Sequence, residues 1–183
     1  MLDTSILQQV TEIFRNLEAD YTFRISYAPQ REESSQLIEF LNDFASTSAR
    51  LNVEKQEAEG DALAFSLLKN GEDTGIAFRG IPNGHEFTSL LLAVLNADGK
   101  GKNLPDEGIA QRVRSLSGDI HLQTYVSLTC TNCPDVVQTL NIFALLNPNI
   151  RHEMVDGALF QSEVDAKGVQ AVPAVFANGK LIH

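Results

Sequence analysis

One order of periodic segments runs through this chain twice, and that repeat restricts the available folds more than any single residue does. Residues 3 to 18 read as a helix capped by Asp3 or Thr4. Ile6, Val10, Ile13 and Leu17 fall on one stripe, with Leu7 and Phe14 beside it. Tyr21, Phe23, Ile25 and Tyr27 then alternate as a strand does. A second helix begins near Ser34 and carries Leu37, Leu41 and Phe44 at helical spacing. Strands follow over Leu51 to Glu57, Ala62 to Leu68 and Ile76 to Phe78, the last two joined through Asn70-Gly71. A helix from His85 to Asn96 presents Phe87, Leu90, Leu91, Val94 and Leu95 as a core stripe.

The second half runs through much the same order. Ile109 to Leu116 is helical, Ile120 to Leu128 a strand, and Pro134 to Leu146 a helix stopped by Asn147-Pro148. Ile150 to Asp156 is a strand and Leu159 to Lys167 a short helix. Pro173 to Ala177 and Lys180 to Ile182 then form a hairpin around Asn178-Gly179. A βαβ unit followed by a hairpin, used twice, predicts the α/β class, with a mixed sheet flanked by helices in each copy. Turn formers and charges from Asp98 to Glu107 mark the boundary. Lys100 and Lys102 stand where a calcium loop would need oxygen ligands, so this run reads as a solvated connector. The second copy reaches His183 without the closing helix of the first, which implies a fragment of something longer.

Composition excludes several classes. The net charge is -10, from 24 acidic and 14 basic residues, which argues against nucleic acid or anionic lipid as the main partner. No apolar run approaches the roughly 18 residues of a membrane-spanning helix, and Met1-Leu2-Asp3-Thr4 opens no signal peptide. A cytoplasmic chain is expected.

The only two cysteines, Cys130 and Cys133, form one Cys-x-x-Cys. A disulfide closing so short a loop removes little entropy from the unfolded chain and makes a poor staple. Structural zinc wants four ligands, and His85, His121, His152 and His183 form no His-x3-5-His pair, so no metal site is expected. Redox chemistry remains. Cys130-Thr131-Asn132-Cys133-Pro134 lies between a strand and a helix, where free backbone N–H groups and the positive end of the helix dipole favour thiolate. Cys130 is then the exposed attacking sulfur, and Cys133, one turn on, resolves the mixed disulfide. Pro134 fits the first helical turn, where its missing N–H has no intrahelical partner.

Further along, Gly168 to Phe176 places Val172-Pro173 at the opening of a strand. Together with the Cys pair this resembles the thioredoxin superfamily. The resemblance implies a cis Val172-Pro173 bond against the disulfide, with the Val172 backbone binding a substrate chain and Thr131, Asn132 and Pro134 supporting the site. The opening Met-Leu-Asp-Thr, Gly84 to Leu90, Tyr125 to Asp135, Asn147-Pro148, Asp156-Gly157 and Val172 to Phe176 are similar, more narrowly, to the flavoprotein subunit of bacterial alkyl hydroperoxide reductase, over its N-terminal domain only.

That resemblance implies two tandem thioredoxin-like folds. One, without redox cysteines, covers 1–98, a connector covers 99–106, and the fold with the Cys pair covers 107–183, truncated after its hairpin. It further implies a thiol-disulfide relay that carries electrons from an FAD- and NADH-binding module, C-terminal in the full-length chain, to a peroxiredoxin partner that reduces peroxides. A homodimer is implied only for the full-length form. The chain has no Gly-x-Gly-x-x-Gly, so it is expected to bind neither FAD nor NADH by that motif.

Two positions depart from the family pattern. Thr131 stands where His is frequent, which bears on redox poise, and Leu63 replaces a proline in the first copy. Glu86 has two readings: a proton-transfer group reaching the Cys pair from the first copy, or a solvated carboxylate stabilised at a helix start. His85 reads as a polar first-turn residue, and Tyr125 and Asp135 as packing and capping. Two other functions stay open, a tandem protein-interaction module with an incidental Cys pair and a free-standing general disulfide reductase.

Overall fold

A computed structural model describes the whole chain, Met1 to His183. The first half contains α1 (Thr4–Ile13), β1 (Tyr21–Tyr27), α2 (Glu32–Ala45), β2 (Leu51–Glu57), β3 (Leu63–Lys69), β4 (Glu72–Arg79), a 3-10 turn (Gly84–Glu86) and α3 (Phe87–Ala97). The second contains α4 (Glu107–Ser115), β5 (Ile120–Val126), α5 (Cys133–Leu146), β6 (Ile150–Asp156), α6 (Gln161–Ala166), β7 (Ala174–Ala177) and β8 (Lys180–Leu181). The two hairpins turn on the same dipeptide. Asn70 and Gly71 have φ of 50° and 82°, and Asn178 and Gly179 have 49° and 81°. Two successive positive φ values match the twist of the flanking strands.

The strands form one sheet rather than one per half, in the order β2-β1-β3-β4-β6-β5-β7-β8. Each half contributes four strands in the same sequence of pairings. The halves join where β4 runs parallel to β6, with Ile76 beside His152 and Arg79 beside Val155. This join covers the edges of β4 and β6, two strands with several buried side chains. The edges left open are β2, which carries Glu54, Lys55 and Glu57, and β8, only two residues long. Charge and shortness are what keep an open edge from pairing with another chain.

The buried apolar side chains likewise form one continuous cluster drawn from both halves. Its first-half portion is aromatic, with Phe14 and Phe23 edge-on to Phe44 at 5.5 Å and 5.6 Å. That contact explains a departure in α1. Ile6 and Ile13 are exposed, whereas Leu7 is half-buried and Val10, Phe14 and Leu17 are buried. The helix stops at Ile13, and the chain beyond it turns Phe14 onto α2, which selects the Leu7–Val10–Phe14 side. Asp3 does cap the helix, accepting the Ser5 N–H at 2.7 Å.

The segment between α3 and α4 has no helix or strand, but its first residue is not solvated. The Asp98 carboxylate accepts the N–H groups of Glu18 and Ala19 and the Tyr21 hydroxyl, and it pairs with Lys100.

Candidate functional site

Strand β5 ends at Val126, and the chain then turns through Ser127 to Asn132 before α5 begins at Cys133. The Cys130 N–H bonds the Ser127 carbonyl at 3.0 Å and closes the turn. Cys130 and Cys133 are joined in a disulfide with their Cα atoms 5.6 Å apart. Cys133 donates its backbone N–H to Cys130 Sγ at 3.1 Å, so this sulfur receives one of the free donors at the helix start. Cys133 is fully buried. Cys130 is half-buried rather than fully exposed as expected, because it packs against the shared core, while Thr131 and Asn132 are exposed. Pro134 occupies the first turn of α5.

The Val172–Pro173 peptide is cis. Strand β7 pairs antiparallel with β5, setting Ala174 across from Tyr125. That register carries Pro173 to the level of Val126, the last strand residue before the cysteine turn. Val172 is exposed and Pro173 half-buried.

The first half supplies a wall of the site. The His85 N–H bonds the Leu128 carbonyl at 3.0 Å. Gly84 has φ of +56°, and a Cβ there would stand 2.7 Å from the same carbonyl oxygen. Only glycine accepts both that backbone and that approach. His85 itself is exposed.

Glu86, next in the turn, is fully buried, which overturns its reading as a solvated carboxylate. Its Oε2 accepts the Ser89 hydroxyl at 2.5 Å, and its Oε1 has no partner. Burial pushes this carboxyl up to about 7, against the opposing pull of the Ser89 hydrogen bond. Ser89 in turn receives the Gln138 amide of α5 at 3.3 Å.

Two side-chain clusters, one half-buried and one buried, carried no motif. Tyr125, fully buried, donates its hydroxyl to Glu163, which also takes two hydrogen bonds from Arg79, at 2.9 Å and 2.7 Å. The Arg79 guanidinium lies 4.2 Å over the Phe160 ring. Burial and then the Glu163 hydrogen bond raise the Tyr125 hydroxyl, so it stays neutral. His152 bonds Asn141 at 2.7 Å and Thr124 at 2.8 Å, and burial lowers its pKa to about 3. The signal for His152 was its parity: it shares a strand face with Ile150 and Met154, both buried. Asp135 is exposed in the first turn of α5, and no side chain caps that helix.

Residues 120–183 match the thioredoxin domain family. A Bacillus subtilis protein named NADH dehydrogenase is 42% identical over 180 residues, covering 98% of this chain and 35% of that protein. The alkyl hydroperoxide reductase protein AhpF of Staphylococcus epidermidis is 41% identical, covering 98% of this chain and 34% of that protein. The chain thus spans about a third of the length of these relatives. A crystal structure of the NTD_N/C domain of the alkyl hydroperoxide reductase AhpF from Enterococcus faecalis superimposes with a TM-score of 0.89 at 31% identity, covering 100% of this chain and 94% of that one.

Proposed function

Because the chain belongs to the family of the N-terminal domain of the alkyl hydroperoxide reductase protein AhpF, a disulfide-oxidoreductase domain, we propose that it relays electrons to the disulfide of a peroxiredoxin. The observation that carries this reading is the Cys130–Cys133 disulfide at the start of α5, one sulfur half-buried and the other sealed in the core.

In the reduced pair, the Cys130 thiolate attacks one sulfur of the partner disulfide. A mixed disulfide forms and one partner thiolate leaves. The Cys133 thiol gives its proton to the Glu86 carboxylate, and the resulting thiolate attacks Cys130 Sγ. The Cys130–Cys133 bond re-forms and the second partner thiolate departs, to be protonated by solvent; Glu86 returns its proton to Cys133 when the pair is next reduced. Two electrons have then passed to the partner. A carboxyl raised to about 7 by burial is matched to moving a proton in both directions near neutral pH. Val172, exposed before the cis bond that registers with the end of β5, is where an extended partner segment would pair, with Pro173, Thr131, Asn132 and Pro134 shaping that surface.

No Gly-x-Gly-x-x-Gly connects a strand to a helix here, so this chain's residues do not fit FAD or NADH by that motif. We place the module binding them in the remainder of a longer chain, with homodimerisation and cytoplasmic operation as properties of that full-length protein. No helix is long and apolar enough to cross a membrane.

The test uses the full-length protein with its peroxiredoxin. Cys130→Ser abolishes NADH-dependent peroxide turnover, and Cys133→Ser accumulates a mixed disulfide with the partner, visible by intact mass. Normal turnover in Cys130→Ser would leave only a docking module.

A further inference from the structure

Glu86 holds its two oxygens differently. Oε2 is engaged by the Ser89 hydroxyl, while Oε1 is buried and bare. The Ser89 oxygen is itself engaged, because Gln138 Nε2 donates to it. With the Gln138 amide on one lone pair, the single Ser89 hydroxyl proton is directed to Oε2. While the hydroxyl keeps that direction, a proton on Oε2 would face it, and the carboxyl takes up its proton on Oε1.

We infer that Ser89, held in place by Gln138, is a positioning residue that commits Oε2 of Glu86 to a fixed hydrogen bond and makes Oε1 the oxygen that takes up and returns the proton. The inference rests on the proposed exchange of that proton with Cys133. It ties the two halves together at the chemistry, since Glu86 and Ser89 come from the first and Gln138 from the helix that begins with Cys133.

The surroundings make the effect readable. The 3-10 turn packs on α3 and α5. Helix α3 carries no charged side chain, and α5 brings only the disulfide-bonded Cys133 and the exposed Asp135. His85, on the turn itself, is exposed. What sets the protonation of Glu86 is therefore burial against the Ser89 hydrogen bond.

The decisive measurement follows the Glu86 side-chain carboxyl carbon by NMR across pH in the oxidised chain, where the paired cysteines do not titrate. Ser89→Ala removes a bond that favours the ionised form, so the midpoint rises by about one pH unit. Gln138→Leu moves it less and in the same direction, and Ser89→Thr, which keeps the hydroxyl, restores it. An unmoved midpoint in Ser89→Ala overturns the inference, whatever happens to stability.

Glu86→Gln tests the underlying reading separately. The rate at which Cys133 resolves a Cys130–glutathione mixed disulfide should lose its pH step near neutrality in that variant. If the step persists, the proton-transfer reading fails and the inference with it. If the step vanishes while the Ser89→Ala midpoint stays fixed, only the inference is lost.

Discussion

The two halves of the chain follow one path and end it differently. Four residues past the last residue of the seven-residue strand stand Arg31 in the first half and Cys130 in the second. Three further on stand Ser34 and Cys133. The Arg31 guanidinium donates to the Asp61 carbonyl at 2.8 Å and to the Leu159 carbonyl of the other half at 3.0 Å, and it lies 5.0 Å over the Phe160 ring. Ser34, buried, donates its hydroxyl to the Ala28 carbonyl at 2.7 Å. The corner that holds the disulfide in one half binds its own chain and its neighbour in the other. The fold therefore needs neither the sulfurs nor a proline, since Leu63 opens β3. What the first half still supplies at the disulfide corner is the Gly84–Glu86 turn, whose His85 N–H bonds the Leu128 carbonyl.

The interiors differ as much as the corners. Phenylalanine rings dominate the first, while the second buries His152, Thr124, Asn141 and Gln138. Acid should separate them, and this is the largest effect expected. His152 is lowered to about 3 by burial and then by the charge of His121, so below its ordinary 6.5 the unfolded chain gains a proton that the native one refuses. Stability contributed by neutral His152 is lost as pH falls from 6.5 towards 3, on the order of 3 kcal/mol.

Glu86 slopes the other way. Its folded value near 7 exceeds its ordinary 4.5, so stability is lost as pH rises between those values. The two slopes oppose one another from 4.5 to 6.5, and the steep acid limb belongs to His152 below that window. In the first half Asp98 is subject to burial, which raises it, but the Lys100 and backbone N–H bonds prevail and hold it at about 2. It begins to lose its contribution only below 3.8. Hydrogen exchange followed on acidification should therefore quicken in β5, β6 and α5 before β1 and α1. Simultaneous opening of both halves would erase the contrast.

A smaller effect is expected at the join. Arg79 comes from β4, and its partners Glu163 and Phe160 belong to the second half. Arg79→Ala leaves Glu163 with the Tyr125 hydroxyl alone, in a site only partly open to water. The cost in urea unfolding should be about 2 kcal/mol, below that of a fully buried pair. A cost within that of an exposed ion pair would mean that the halves are held by the β4–β6 strand pairing and the apolar core instead.

Much of this was legible in the chain. Alternation located β1, the Asn-Gly pairs located both hairpins, and the residues around Cys130 and Pro173 pointed to the fold. The join was not legible, because the alternation of Ile76 and Phe78 says which face is inward and nothing about which strand lies alongside. Glu86 was readable as a candidate but not as buried. A carboxylate after Gly84-His85 looks like an ordinary helix-start residue until the Leu128 turn closes over it. Arg79 and Glu163 lie far apart in sequence, and each alone is an ordinary surface charge.

The mildest change falls on the inert corner itself. Ser34→Ala removes one buried hydroxyl that donates to Ala28 and leaves a carbonyl already bonded by the Arg31 N–H at 3.0 Å. Because that acceptor keeps a partner, the loss should be about 1 kcal/mol in urea unfolding rather than the larger cost of an orphaned group. The Cys130–Cys133 potential, measured against glutathione buffers, should not move, since the hydrogen bonds of Ser34 stay within the first half. A shifted potential would mean that the inert corner still acts on the reactive one, through Arg31 and the Phe160 segment that leads into α6 and on towards Pro173.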